Sequence, residues 1–325
     1  MTAPPLQRQP SSAASAWGLG AARADQSTPI RARLASLAAH LLVALIALVG
    51  IGGATRVMQA GLACPDWPLC YGSLLPGRQM NLQVFLEWFH RLDAFVVGMG
   101  LLVMAAASLW WRRQLPAWQP PLALACVLLV AAQGALGALT VLQLLPFAVV
   151  TAHLLTALLL VALLSACHQG LNVDPAASLA QRSAPAMAPW LTAFTAAALL
   201  LVLAQCLLGG LMASQWAAGR CLGSGEACGW LLAHRLGARP AGLLVLALAG
   251  LLAWRRPPER PLAALAVGLV LAQIALGVLS LRLTLAVPGV TVAHQITAAL
   301  LVASLTALLV RVRRPVTPPL ELSHV

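Results

Sequence analysis

Four histidines recur in two matched pairs, and their type and spacing suit the binding of a cofactor. His90 opens a His-Arg-Leu triplet that recurs at His234, 144 residues later. The segment Ala-His-x-x-Thr-Ala contains His153 and recurs around His294 after 141 residues. Facing histidines on bundled helices commonly hold a cofactor, and imidazole is a standard axial ligand of haem iron. We therefore predict that these four histidines are axial haem ligands, the alternative being hydrogen bonds that join neighbouring helices.

A carboxylate accompanies the first histidine pair and is missing from the second. Glu87 lies three residues before His90 and therefore on the same helical face, whereas the second copy has Leu231 at the matching position. A carboxylate beside a bound cofactor can accept a proton or stabilise positive charge. We predict that Glu87 is catalytic, and the alternative is a structural acid paired with Arg91 or Arg56.

Arginines near the predicted ligands could bind the carboxylates of the cofactor. Arg91 and Arg235 each follow one of the histidines, and Arg56 is a weaker candidate for the same role. The planar guanidinium group matches a carboxylate such as a haem propionate. The alternative is an arginine whose side chain reaches from the membrane boundary to water.

Two cysteine pairs bracket short segments that repeat each other. Cys64 and Cys70 form the first pair, and Cys221 and Cys228 form its copy. Cysteine pairs in an oxidising compartment are typically disulfides, so we predict two loop disulfides. The alternative for one pair is electron or thiol exchange during turnover. Neither pair has the CxxCH pattern of covalent haem attachment.

The composition indicates that lipid surrounds most of these elements. The chain has 61% apolar and only 9% charged residues, whereas soluble domains average about 45–50% and about 25%. A helix needs about 20 apolar residues to cross a bilayer, and eight runs qualify. They are residues 34–54, 86–110, 120–142, 147–168, 189–212, 229–253, 261–283 and 289–310. The sequence thus predicts an all-α, multi-pass membrane protein of eight transmembrane helices.

The repeat and the arginines predict how these helices are arranged. Each copy holds four spans, so the two copies share one orientation and form pseudo-symmetric four-helix bundles, a parallel repeat. The net charge is +12, but the basic residues lie between apolar runs, which disfavours nucleic-acid binding. Positively charged loops stay inside, so both termini should be cytoplasmic. The predicted parts are a disordered cytoplasmic tail (1–33), an N-terminal catalytic haem bundle (34–168), a cytoplasmic linker (169–188), a C-terminal haem b bundle (189–310) and a cytoplasmic tail (311–325).

Together these residues resemble the haem A synthase family. The resemblance rests on Gly61-Leu62-x-Cys64-Pro65-x-Trp67-Pro68-x-Cys70, Glu87-x-x-His90-Arg91, Gln133-x-x-x-Gly137-x-x-Thr140-Val141, His153, His234-Arg235 and His294. It extends over residues 34–312.

The resemblance implies an oxidoreductase that converts a ring methyl of haem O into the formyl group of haem A by successive hydroxylations, for cytochrome c oxidase biogenesis. It implies that His90 and His153 hold the substrate haem beside Glu87, and that His234 and His294 hold a resident haem b. It also implies the disulfides Cys64–Cys70 and Cys221–Cys228.

Further expectations concern location, partners and a rival function. We expect a bacterial inner (plasma) membrane location, a haem O-producing farnesyltransferase as supplier, and a membrane electron donor or acceptor. A homo-oligomer is compatible with this interpretation, and no nucleic acid is expected. The rival function is a di-haem, quinol-linked membrane cytochrome that only transfers electrons. It too needs four histidines, but it has no use for Glu87 in one half alone.

Overall fold

Helices build the part of the chain that the computed structural model describes, residues 15–172 and 189–313, with side chains from residue 29 onward. In chain order they are α1 (Ser15–Val57), α2 (Leu82–Trp110), α3 (Gln119–Leu142), α4 (Phe147–Leu171), α5 (Pro189–Ser214), α6 (Ala217–Ser224), α7 (Cys228–Arg255), α8 (Arg260–Arg282) and α9 (Pro288–Val312). Eight of these helices are long and apolar enough to cross a membrane, which confirms the predicted all-α class and the number of spans.

Helix α1 starts earlier than the sequence predicted. It begins at Ser15, whereas residues 1–33 were expected to form a disordered tail, and its membrane-spanning stretch begins at Pro29. The segment before that stretch, residues 15–28, contains four alanines, which are strong helix formers, so the helix extends beyond the apolar run. The remaining parts of the predicted tails and linker, residues 1–14, 173–188 and 314–325, lie outside the described residues.

The segment between α5 and α7 also differs from the prediction, which gave it no helix. It contains the short helix α6, whose residues Ala217 and Ala218 are buried. Small side chains let this helix lie close against the ends of α5 and α7, both of which it contacts.

The starts of the histidine-bearing helices set the histidines at matched depths. His153, His234 and His294 each lie six residues after the first residue of their helix, and His90 lies eight residues after the start of α2. The side chain of Asn81 caps α2 by accepting a hydrogen bond from the backbone N–H of Val84 at 3.0 Å. Because these helices rise about 1.5 Å per residue, all four histidines lie within the first three turns.

The helices form two groups that meet along four of them. In the first group α1 and α3 each contact both α2 and α4, and in the second α5 and α8 each contact both α7 and α9. Helices α1, α4, α5 and α9 make the contacts between the groups. The hydroxyl of Ser165 on α4 donates to the carbonyl oxygen of Ala303 on α9 at 2.7 Å, an interhelical bond of the kind that joins membrane helices. The pseudo-symmetry axis that relates the two groups stays a prediction.

Candidate functional site

The fold brings the four histidines together as two facing pairs, one in each group of helices. The ring centroids of His90 and His153 are 6.4 Å apart, with the ring planes at 69°. Those of His234 and His294 are also 6.4 Å apart, at 74°. Two imidazoles on one metal ion need centroids about 6 Å apart, since the metal–nitrogen bond is about 2 Å and the nitrogen lies about 1 Å from the ring centre. Both pairs therefore have the spacing of two axial ligands.

The ring nitrogens also favour ligation over a purely structural role. The Nδ1 atoms of His90, His153 and His294 are buried and have no hydrogen-bond partner within the described residues. Leaving a buried polar group unpaired costs about 1–3 kcal/mol, so histidines that only joined helices should have partners. In the same part of the chain, no group of three or more His, Cys, Asp or Glu side chains could hold a bare metal ion. A haem suits two such pairs, because its porphyrin supplies the remaining nitrogen donors.

Each imidazole lies against a glycine of a neighbouring helix. A Cβ atom added at the glycine would stand close to the ring Cε1, at 3.0 Å for Gly52 and His90, 3.6 Å for Gly137 and His153, 3.0 Å for Gly209 and His234, and 3.2 Å for Gly277 and His294. The missing side chain thus creates the space in which the ring is seated.

Glutamines lie next to three of the histidines. The side-chain amide of Gln205 is 3.0 Å from Nδ1 of His234 and donates to its carbonyl oxygen at 2.7 Å. The amide of Gln273 is 3.1 Å from Nε2 of His294. The sequence did not single out these glutamines as functional residues, although Gln273 lies in a repeated segment.

The amide of Gln133 makes a different contact. It donates to the carbonyl oxygen of His153, and to the hydroxyl of Thr156, at 2.9 Å in both cases. Gln133 therefore fixes the backbone at the histidine rather than its ring.

Glu87 is buried and held by two partners. Its side chain accepts a hydrogen bond from the backbone N–H of Cys64 at 2.8 Å, and it forms a salt bridge of 2.5 Å with Arg91. The residue is only 4% exposed, yet it lines the same cavity as His90. The salt bridge to Arg91 agrees with the alternative that Glu87 is a structural acid. The position of Glu87 in the cavity lining agrees with a catalytic role.

Arg91 makes most of its contacts with the loop that follows α1. Besides Glu87, its guanidinium group donates to the carbonyl oxygens of Asp66, at 2.7 Å, and Leu69. Arg91 also lines the cavity, so a haem propionate would share a guanidinium group that already has protein partners. The sequence missed this arrangement because the partners come from a loop that folds back over α2.

The Cys64–Cys70 disulfide predicted from the sequence is present and closes this loop. Asp66 inside the loop accepts hydrogen bonds from the backbone N–H groups of Gly72 and Tyr71, at 2.8 and 2.6 Å. The pKa of Asp66 is lowered below its usual value, first by the hydrogen bond from Gly72 and then by the bond from Tyr71 and the positive charge of Arg91. The loop therefore has several internal ties besides the disulfide.

The predicted Cys221–Cys228 disulfide is also present, and it joins α6 to the start of α7. Arg56 lies near this second loop, since it donates to the carbonyl oxygen of Ala213 at 3.2 Å and stacks over Trp216 at 5.5 Å. These contacts link the end of α1 to the second group of helices. Arg235 is exposed and lines the cavity, and no ion pair of it is recorded among the described residues.

One large cavity connects the two histidine pairs. Its volume is about 2120 Å³, and residues of both groups line it. The lining includes His90, His153, His234, His294, Glu87, Arg56, Arg91 and Arg235. The predicted ligands, the carboxylate and the three arginines thus share one space. It is far larger than the roughly 300–1,000 Å³ of ordinary ligand pockets.

Comparisons with known proteins agree with this arrangement. Residues 35–306 match the model of the COX15-CtaA family, described as cytochrome oxidase assembly proteins. A haem A synthase from Shewanella oneidensis is 30% identical over 318 residues, which cover 82% of this chain and 93% of that protein. A haem A synthase from Sphingopyxis alaskensis is 33% identical over 153 residues, or 36% of this chain and 42% of that protein. A protohaem IX farnesyltransferase from Haloarcula marismortui is 37% identical over 73 residues, 22% of this chain and 15% of that protein.

Proposed function

Because the chain belongs to the COX15-CtaA family of cytochrome oxidase assembly proteins, we propose that it is a haem A synthase. It is an oxidoreductase that converts a ring methyl of haem O into the formyl group of haem A. The observation that carries this proposal is the buried Glu87 beside one histidine pair, where the other pair has Leu231. Two similar ligand pairs with one carboxylate suit a protein with one reacting haem and one that does not react.

The first half is the catalytic one in this proposal. His90 and His153 would bind the iron of haem O. Two successive hydroxylations of the methyl carbon with oxygen from water would give a gem-diol that loses water, and the four electrons removed would pass to the membrane electron acceptor. Glu87 accepts a proton or stabilises positive charge at that carbon. Arg91 and the backbone N–H of Cys64 hold the carboxylate in place, because both contact its oxygens. This division makes residues 34–168 the catalytic bundle.

In the second half, residues 189–310, His234 and His294 would hold a resident haem b. When bound, that group supplies one-electron transfer. Arg235 lines the cavity beside His234 and is available to a propionate, whereas Arg91 already has protein partners. Arg56 reaches toward the same half through Ala213 and is the weaker candidate for a propionate.

The proposed setting is the bacterial inner membrane, with both termini in the cytoplasm. Eight long apolar helices suit a multi-pass membrane protein. A haem O-producing farnesyltransferase would supply the substrate, and a membrane electron donor or acceptor would complete the reaction. A homo-oligomer is compatible with this proposal, and nucleic acid has no role in it.

The test is the product. The protein is expressed together with a haem O source in cells that make no haem A of their own, and the extracted haems are separated by chromatography. We expect haem A to form with this protein and not with an empty vector. A protein that carries two haems but forms no haem A would instead be the di-haem electron-transfer cytochrome.

A further inference from the structure

The two histidine sites differ at a second position besides Glu87. In the second half, the amide of Gln205 on α5 lies 3.0 Å from Nδ1 of His234 and 2.7 Å from its carbonyl oxygen. When the two repeats are aligned, residues of α1 match residues of α5 at an offset of 157, so the residue that matches Gln205 is Leu48. Leu48 lines the cavity, and its side chain offers no hydrogen bond to the ring of His90.

The neighbouring helix differs in a matching way. A Cβ atom on Gly237 of α7 would stand 2.5 Å from Oε1 of Gln205, so a larger residue there would displace the amide from its present position. In the first half the corresponding residue of α2 is Asp93. Gln205 and Gly237 in the second half are therefore replaced by Leu48 and Asp93 in the first.

A contact on Nδ1 has a defined effect on a histidine ligand. Here the amide N–H of Gln205 donates to the carbonyl oxygen of His234 and the amide lies against Nδ1, so the contact restricts the orientation of the ring. Such outer contacts are a general feature of metal-binding histidines, and their removal typically lowers metal affinity about 10–100-fold. The ring of His90 has no side-chain hydrogen bond recorded within the described residues, and its Nδ1 is buried without a partner.

We propose that Gln205 is the positioning residue that makes the second half a permanent haem site, and that the leucine at position 48 leaves His90 as the ligand that can release iron. This rests on the proposed function, in which the first half must accept haem O and release haem A. A resident group needs a fixed ligand, whereas a substrate that becomes a product has to leave. The asymmetry between Gln205 and Leu48 provides one site of each kind.

The first experiment uses carbon monoxide, which binds ferrous haem only where an axial position becomes free. The purified, dithionite-reduced protein is exposed to the gas, and the haem that changes spectrum is measured. We expect Gln205→Leu to raise the reactive fraction of the second-half haem, and the rate of haem loss to apomyoglobin, about tenfold. Gln205→Glu removes the N–H donor to the carbonyl oxygen of His234 and should therefore behave like Gln205→Leu.

Gln215→Leu is the matched control. It makes the same substitution on the segment that follows α5, but within the described residues the side chain of Gln215 bonds only to the carbonyl oxygen of Leu211, at 3.0 Å, and does not line the cavity. If Gln205→Leu and Gln215→Leu react alike with carbon monoxide and lose haem alike, the proposal is overturned.

The converse variant tests the proposal even if Gln205→Leu does not accumulate. Leu48→Gln combined with Asp93→Gly introduces the amide and the space for it into the first half, which is then filled by adding protohaem. We expect the carbon monoxide reactivity of that haem to fall about tenfold, and an unchanged reactivity overturns the proposal. Neither measurement uses haem A formation, so a protein that makes no haem A refutes the proposed function without deciding this point.

Discussion

The backbone N–H of Cys64 donates a hydrogen bond of 2.8 Å to Oε2 of Glu87. The first disulfide loop and the carboxylate one turn from His90 are therefore parts of one structural unit. Arg91 completes this unit, because it contacts Glu87 and the carbonyl oxygens of the loop at the same time. The position of the carboxylate thus depends on the loop as well as on α2.

Glu87→Gln should separate haem binding from chemistry. The amide keeps the shape of the side chain but removes its charge and its proton acceptor, so haem A formation should fall about 100-fold. Haem content and membrane insertion should stay the same, because neither depends on the carboxylate. Chromatography should find haem O or a hydroxylated intermediate in place of haem A. Haem A formed at the normal rate would make Glu87 a structural acid only.

Replacing both Cys64 and Cys70 with serine should also reduce haem A formation. Without the disulfide the loop is less restrained, and the N–H group that holds Glu87 is no longer fixed; a misplacement of about 1 Å can cost about 100-fold in rate. The haem of the second half should be retained.

The matched comparison is the replacement of Cys221 and Cys228 with serine, since no contact joins that pair to Glu87 in the described residues. Equal losses of haem A in the two double variants would contradict a positioning role of the first loop.

The sequence predicted the spans and which histidines face each other, for physical reasons. A span must be apolar for about 20 residues, so composition alone reveals it. A duplicated chain also shows which histidines form a set, as for His153 and His294. The upstream start of α1 was missed because helix propensity, not lipid burial, extends the helix there.

Contacts between helices were beyond this kind of inference. Gln205 and His234 are 29 residues apart in the sequence, and nothing in that spacing indicates that their side chains are in contact. Gly277 belongs to a repeated segment, but only the folded helices show that it seats the ring of His294. The sequence named Arg91 as one of two possible partners of Glu87, but it did not indicate the loop carbonyl oxygens that Arg91 also contacts.

The orientation of the chain can be tested with reporter fusions. Because positively charged loops stay inside, fusions after residues 75 and 220 should report the periplasm. Fusions after residues 114 and 258 should report the cytoplasm. A reversed result at any two of these four sites would refute the predicted topology.

His234→Ala should abolish the low-spin spectrum of the second-half haem. The ring of His234 faces His294 at 6.4 Å, so its removal leaves one ligand where six-coordinate iron needs two. Optical and electron paramagnetic resonance spectra of the purified variant would show the loss. His40→Ala serves as the control, because His40 is exposed and bonds to Ser36 of its own helix. A low-spin spectrum that survives in both His234→Ala and His294→Ala would contradict the ligand assignment.

Gly209→Ala tests whether the glycine beside a ligand seats the ring. The added Cβ would stand 3.0 Å from Cε1 of His234, so the ring has to move by a few tenths of an ångström while Gln205 still holds its Nδ1. We expect a shifted haem spectrum and a haem loss rate raised a few-fold. Alanine is a better helix former than glycine by about 0.5–1 kcal/mol, so the substitution does not destabilise the helix, and weaker haem binding would result from the displaced ring. Gly250→Ala on α7 is the matched control, because nothing lies within 4 Å of its added Cβ. The control should keep the spectrum of the unaltered protein, and a Gly209→Ala spectrum identical to it would show that the ring does not depend on this glycine.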